Sequence, residues 1–195
     1  MSDLKSLSEI FEHRLIRIPD YQRGYAWQEH QLNDFWEDLL QLTDGRLHYT
    51  GVITLEPVGN SSYQRWDEDL WLIEGKGYKP YYVVDGQQRL TTSMILIQAI
   101  LESVDDTEEL NYQLPQDIKQ QYVMQKGPDG MRRSFLFGYE KDNPSDEFLR
   151  TQIFNEHSST NHDEQTVYTK NLAEAKTFFS ERLSYLDNSE VAVIF

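Results

Sequence analysis

The stretch Tyr-Tyr-Val-Val-Asp-Gly-Gln-Gln-Arg-Leu-Thr-Thr, residues 81–92, decides the fold of this 195-residue chain. Its first four residues are aromatic or β-branched and suit a strand, which Asp85-Gly86 then interrupts as a turn does. The segment 90–101 that follows is almost wholly apolar, which predicts a helix at the centre of the core. The polar residues between strand and helix therefore lie at a strand-to-helix turn.

This polar turn has two interpretations that its chemistry leaves open. Asp85 can cap the helix, and Gln88, three residues later, can complete a capping box. Neither role explains Arg89, whose charge in the first turn opposes the helix dipole by roughly 0.3–1 kcal/mol. A bound phosphate reverses that cost, because the first-turn amides, the dipole and the guanidinium all attract it. A phosphate-binding arginine and a solvent-facing arginine are equal alternatives at this point.

A second Gln-Arg pair lies in Ile-Pro-Asp-Tyr-Gln-Arg-Gly-Tyr-Ala-Trp, residues 18–27. It follows a predicted strand over 13–19, and aromatic side chains stand on both sides of Arg23. Such a segment suits a nucleotide, whose base can stack on an aromatic ring while the guanidinium holds phosphate. The alternative is that Tyr25 and Trp27 are core residues that bracket a turn, and this segment alone favours that alternative.

Hydrophobic periodicity predicts the remaining elements. Helices are expected over 28–42, 146–154 and 167–183, with Thr43-Asp44-Gly45 ending the first of them. Strands are expected over 47–55 and 189–195, and hairpins over 70–84 (arms 70–74 and 78–84) and 121–138 (turn 127–130). The segments 59–69 and 155–165 are polar and loop-like. Together these elements predict an α+β fold in which helices pack on a small mixed β-sheet.

Composition and charge exclude several classes of protein. The chain has no cysteine, which excludes disulfides and thiol chemistry. It shows no signal peptide and no long apolar run, so a cytoplasmic protein without a membrane span is expected. The net charge of −15 argues against a protein that coats duplex DNA, although a few arginines in a cleft can still form an anion site. The acidic residues Asp142, Asp146 and Glu147 are expected to form a solvated face rather than a cation site.

The two Gln-Arg segments, taken together and in this order, resemble the N-terminal domain of GmrSD-type restriction endonucleases. These are type IV, modification-dependent enzymes, and the domain is related to the ParB/sulfiredoxin-like superfamily. Weaker similarity continues through 48–53 and 168–183, so the resemblance covers most of the chain. It implies an α+β fold whose two Gln-Arg segments meet across a nucleotide pocket. Residues 1–195 are accordingly expected to be one domain, the N-terminal part of a longer protein whose nuclease domain is not included.

The resemblance also implies a function, which is NTP binding and hydrolysis linked to the restriction of modified DNA. GTP and ATP are both open, Mg²⁺ is expected to accompany the nucleotide, and Asp85 is the candidate metal ligand. The candidate catalytic residues are Arg23, Asp85, Gln88 and Arg89. The candidate nucleotide-binding residues are Tyr21, Gln22, Arg23, Tyr25, Gly86, Gln87, Gln88, Arg89 and Thr91. Among them the glutamines are expected to orient phosphate or an attacking water, and Trp27 is a further candidate for holding the base.

A rival hypothesis uses the same arginines in a non-catalytic module that senses nucleotide or DNA and controls a partner nuclease. The expected partners are a nucleotide, DNA through the full-length protein, and a His-Asn-His nuclease domain in cis or in trans. A homodimer is left open by the sequence, and no membrane partner is expected. Sulfiredoxin chemistry is excluded, because it requires a cysteine that this chain lacks.

Overall fold

The computed structural model describes residues 4–41, 49–140, 143–156 and 166–195. Its strands are β1 (Arg14–Ile18), β2 (Thr54–Pro57), β3 (Lys79–Asp85), β4 (Met124–Lys126), β5 (Arg133–Phe135) and β6 (Phe137–Tyr139). Its helices are α1 (Leu7–Phe11), α2 (Glu29–Leu40), α3 (Asn60–Tyr63), α4 (Leu70–Lys76), α5 (Gln87–Ser103), α6 (Pro115–Ile118), α7 (Pro144–Phe148), α8 (Val167–Leu183) and α9 (Asn188–Ile194). Helices α6 and α7 continue into π-helical turns at Lys119–Val123 and Leu149–Ile153. The predicted α+β class is confirmed.

Four strands form the main sheet in the order β2-β3-β1-β6. Strand β1 is parallel to both of its neighbours, so that Ile16 pairs with Tyr81 on β3 and with Phe137 on β6. Strand β2 is antiparallel to β3 at the sheet margin. Because parallel strands point the same way, the carboxyl ends of β1, β3 and β6 share one edge, where ligands of open α/β sheets commonly bind. Both Gln-Arg segments leave the sheet at this edge.

Helix α5 is the centre of the core, as its sequence predicts. Leu90, Met94 and Ile95 are fully buried along it, and α8 packs against it. Burying an aliphatic side chain of this size contributes roughly 1.5–3 kcal/mol to the free energy of folding. A helix with so many apolar residues is therefore most stable inside the core. Within the described ranges, no helix combines the length and the apolar character needed to cross a membrane.

Two predicted strands are helices in the structure. The segment 70–74 belongs to α4, which ends at Gly77 in the left-handed conformation (φ +74°), a common way for a helix to terminate. The segment 189–195 belongs largely to α9, where Asp187 and Glu190 form a capping box. A short apolar run is compatible with a strand or a helix. In both cases the residues that terminate or cap the helix, and not the apolar run, determine that a helix forms.

Other predicted boundaries shift for local reasons. The strand predicted over 47–55 is β2 at Thr54–Pro57, preceded by Gly51 in a left-handed conformation (φ +99°) that interrupts an extended chain. The segment 59–69 contains the short helix α3.

The predicted stop at 43–45 and most of the 155–165 loop lie outside the described residues. The hairpin over 121–138 is confirmed by β4 and β5, and α2 and α8 are confirmed as helices. The relation to ParB and sulfiredoxin stays a prediction.

A buried ionic cluster corrects the expected place of Asp146 on a solvated acidic face, whereas Glu147 is partly exposed. Asp146 on α7 is 4% exposed, and its carboxylate accepts hydrogen bonds from Tyr139 N–H (3.1 Å) and pairs with Arg150 Nε (2.8 Å). Nearby, buried Arg17 pairs with Asp69 at 2.7 Å. Burial raises the pKa of Asp146 to about 6, although Arg150 and Arg17 oppose that change. The carboxylate is thus a buried structural group, while Asp142 lies outside the described residues.

The Asp146 carboxylate predicts a pH-dependent stability. Between about pH 4 and pH 6, the folded protein keeps a proton on Asp146 that the unfolded chain has released. The free energy of unfolding should therefore fall as pH rises through this window, by roughly 3 kcal/mol relative to Asp146→Asn. Urea unfolding at pH 4, 5 and 6 measures the difference. Asp106→Asn, at an exposed position, controls for the loss of one negative charge, and equal slopes for wild type and Asp146→Asn would contradict the assignment.

Candidate functional site

The strand-to-helix turn is built around one glycine. Gly86 has a left-handed backbone (φ +83°), and a Cβ added to it would lie 2.8 Å from the Val52 carbonyl oxygen. Both conditions admit glycine and exclude larger residues. The expected capping box is absent: Asp85 is the last residue of β3, Gly86 occupies the N-cap position, and no side chain caps α5 among the described residues. The capping interpretation of Asp85 and Gln88 is therefore wrong.

Hydrogen bonds from three glutamines join the two Gln-Arg segments. Gln22 Nε2 donates to the Val84 carbonyl oxygen at 2.9 Å, and Gln87 Nε2 donates to the Arg23 carbonyl oxygen at 3.0 Å. Gln88 bonds twice, accepting from Ala26 N–H at 2.7 Å and donating to the Gly24 carbonyl oxygen at 3.2 Å. The loop after β1 is consequently fixed to the first turn of α5. The structure brings the two sequence segments together, as the resemblance implied.

Tyr25 anchors the same loop from inside the core. Its ring is fully buried, its hydroxyl lies 2.7 Å from Thr92 Oγ1, and its carbonyl oxygen accepts from Asn171 Nδ2 at 3.1 Å. Burial raises the pKa of the Tyr25 phenol, which keeps it neutral. This placement agrees with the core interpretation of Tyr25, and Trp27 also packs against the core. The neighbouring Gly24 leaves room for the ring of Tyr168, which a Cβ would meet at 2.4 Å.

Arg89 lies half-buried on the other side of the first turn. Its Nη1 donates to the Val52 carbonyl oxygen at 3.1 Å, and Gly51 lies so close that a Cβ there would come within 2.2 Å of Nη1. A groove of about 490 Å³ opens beside the guanidinium, and Ser93 and Ile97 also line it. The side chain is held by one backbone carbonyl and keeps further donor capacity, because a guanidinium has five N–H groups.

The other candidate residues differ in their exposure. Tyr21 is 72% exposed, and Arg23 and Asp85 are exposed as well. Thr91 is buried at 1% exposure. Gln87 is 7% exposed, and its Oε1 has no hydrogen-bond partner within the described part of the chain. A buried acceptor without a partner is costly, so this oxygen offers a bond to a water or a ligand at the turn.

The turn as a whole suits an anion. The first amides of α5 point out of a 17-residue helix that no side chain of the described ranges caps, and such an end carries about half a positive charge. The guanidinium of Arg89 belongs to the same turn, and the loop of Arg23 is bonded to it. Among the described residues, no group of three or more His, Asp or Glu side chains is placed to hold a metal. One exposed carboxylate, Asp85, is compatible with Mg²⁺, which commonly takes one or two carboxylates together with substrate phosphates.

Several supporting residues were not identified from the sequence. Asn171 lies 146 residues from its partner Tyr25, and Thr92 is a buried hydroxyl within an apolar helix. No local sequence pattern predicts hydrogen bonds between residues so far apart in the chain. The sequence carries one further signal besides the predicted Gly86: glycines also stand at 24 and 51, each beside a group of the site.

Comparison with family models identifies the family of this chain. The family model described as GmrSD restriction endonuclease, N-terminal domain, matches residues 7–195 and so includes both Gln-Arg segments. No curated protein matches the chain. The resemblance drawn from the two segments is confirmed at the level of the family.

Removal of the Gln88 amide should destabilise the joined segments. Gln88→Ala leaves Ala26 N–H and the Gly24 carbonyl without these partners, and we expect a loss of about 1–3 kcal/mol in the free energy of unfolding. Urea unfolding monitored by tryptophan fluorescence measures it. Gln116→Ala is the matched control, since Gln116 is exposed on α6 and makes no side-chain hydrogen bond to the described residues. Equal effects of the two substitutions would show that the Gln88 bonds do not hold the loop.

Proposed function

The chain belongs to the family of GmrSD restriction endonuclease N-terminal domains, and we propose that it binds a nucleoside triphosphate at the α5 turn and hydrolyses it. Membership makes this a domain of a restriction system. The family name implies DNA as the target and a nuclease domain in the full-length protein. We propose that nucleotide turnover here controls that nuclease.

One observation carries the proposal: two arginine-bearing segments are bonded together at the carboxyl edge of the sheet, around a helix start that no described side chain caps. Helix starts of this kind bind phosphate through free amides and the dipole. The chain's net charge of −15 repels anions in general, so binding depends on a local concentration of positive charge. In this proposal Arg89, from the side of Val52, and Arg23, from the loop after β1, supply it together with the first turn of α5.

The residues then have separate roles. Arg89 and the α5 amides hold phosphate, and Arg23 adds charge from the loop as negative charge develops on the transferred phosphoryl group. Tyr21, which is exposed beside Arg23, stacks on the base. Tyr25 supports the loop from the core and does not contact the ligand.

The three glutamines have two different roles: two of them hold the loop after β1, and one is placed to orient a water molecule. Gln22 and Gln88 use their amides to fasten the loop. Gln87 donates to the Arg23 carbonyl oxygen, and its acceptor Oε1 has no partner in the part of the chain that the structure describes. That acceptor suits the orientation of an attacking water, a role that glutamines take in other NTPases. Asp85 is the carboxylate nearest in sequence to this turn, and it would hold Mg²⁺, which supplies charge neutralisation on the phosphates when bound.

Substitution of the two arginines tests the assignment. A charge-assisted hydrogen bond contributes about 1.5–3 kcal/mol, so Arg89→Ala should weaken ATP or GTP binding by roughly 10- to 100-fold. Arg23→Ala should reduce the turnover rate more than the affinity. Calorimetry and a phosphate-release assay, each with Mg²⁺ and with and without DNA, give the two readouts. Arg132→Ala, on the turn between β4 and β5, is the control and should match wild type.

The outcomes separate the rival functions. Tight binding without multiple turnover would support a non-catalytic sensor that controls a partner nuclease. If Arg89→Ala leaves nucleotide binding unchanged, the nucleotide does not bind at the α5 turn. A DNA-dependent rise in turnover would link the domain to the target of the restriction system.

A further inference from the structure

We propose that Glu140 is a positioning residue for the α5 site, because its carboxylate fixes the start of the loop that carries Tyr21 and Arg23. This inference rests on the proposed function, since it concerns how that site is held ready for a nucleotide. Neither Gln-Arg segment contains Glu140, which follows β6 far along the chain.

The backbone places Glu140 at the same edge of the sheet as the site. Strand β6 ends at Tyr139, and the next N–H, that of Glu140, donates to the Ile18 carbonyl oxygen at 3.1 Å. Ile18 is the last residue of β1, immediately before the Gln-Arg loop begins. Glu140 therefore stands beside the point at which the loop leaves the sheet.

Both carboxylate oxygens accept hydrogen bonds from the protein. Oε2 accepts from the Asp20 backbone N–H at 3.0 Å, and Oε1 accepts from the Tyr82 hydroxyl. Tyr82 belongs to β3, which lies on the opposite side of β1 from β6, so the side chain bridges the exit of the central strand. Partial burial and the bond to Glu140 raise the pKa of Tyr82, which keeps its proton available for donation.

The loop is thereby held at both ends. Glu140 fixes its beginning at Asp20, a turn bond from Gln22 N–H to the Pro19 carbonyl oxygen (2.9 Å) follows, and Gln87 fixes its end at Arg23. The side chains of Tyr21 and Arg23 are exposed. Their position consequently depends on the backbone, and a loop fixed before binding loses less conformational freedom when the ligand arrives.

The geometry distinguishes three substitutions. Glu140→Ala removes both bonds and frees the start of the loop. Glu140→Gln keeps an oxygen for Asp20 N–H, and its amide can donate to the Tyr82 hydroxyl oxygen, so it should restore the anchor. Tyr82→Phe leaves the bond to Asp20 in place and tests whether Tyr82 is needed to orient the carboxylate.

Hydrogen–deuterium exchange and nucleotide affinity test the proposal together. Glu140→Ala should raise amide exchange in residues 20–23 about tenfold, leave exchange in α5 and α8 unchanged, and weaken ATP or GTP binding about tenfold. Glu140→Gln should stay within about twofold of wild type in both readouts, and Tyr82→Phe should lie between them. Glu56→Ala, which removes an exposed carboxylate from β2, is the control for charge and should match wild type.

Each other outcome has a defined meaning. Unchanged exchange in Glu140→Ala, or faster exchange with unchanged affinity, overturns the positioning role. Loss of rescue by Glu140→Gln overturns the hydrogen-bonding account. If wild type binds no nucleotide, the proposed function fails and the positioning of a nucleotide site fails with it, whereas the exchange data still decide whether Glu140 holds the loop. Tyr82→Phe retains the carboxylate, so it gives an exchange result even if Glu140→Ala does not fold.

Discussion

The hydrogen bonds of three glutamine side chains hold the loop after β1 against the first turn of α5, and the geometry of the site depends on this joint. They connect residues 62 to 64 positions apart in the chain. A single bond of this kind contributes about 1 kcal/mol net, but backbone groups left without partners cost more. The two halves of each Gln-Arg pair thus have different tasks. The glutamine fixes the backbone, and in the proposed function the arginine beside it binds the ligand.

Stability and function compete at the start of α5. A capping side chain stabilises a helix start by only a few tenths of a kcal/mol more than glycine does, but Gly86 occupies the position and the first-turn amides have no side-chain partner among the described residues. The apolar body of the helix tolerates this, because its residues 94–100 are buried and it packs on α8. An imperfect local arrangement within a well-packed element is typical of functional sites. The buried oxygen of Gln87 is a second imperfection of this type.

Much of the fold follows from periodicity, and the failures have physical causes. Long elements with strong patterns, α2, α5 and α8, form where the sequence predicts them. The short apolar runs at 70–74 and 189–195 were assigned as strands, but Gly77 and the Asp187–Glu190 capping box make them helices. The candidate site is predicted from two motifs, and the hydrogen bonds show that these two segments are joined. Its supports, such as Asn171 and Glu140, are distant in sequence and could not be found without the fold.

The bond from Asn171 to the Tyr25 carbonyl oxygen spans 146 residues, and this span imposes an order on biosynthesis. During translation, residues 18–27 leave the ribosome long before α8 exists, so the loop cannot be completed while the chain is still short. Contacts of such separation close large loops and form late in folding. The site near the amino end of the chain is therefore assembled only after most of the domain has been made. A nascent chain interrupted before residue 171 would carry both arginine motifs and still lack the finished site.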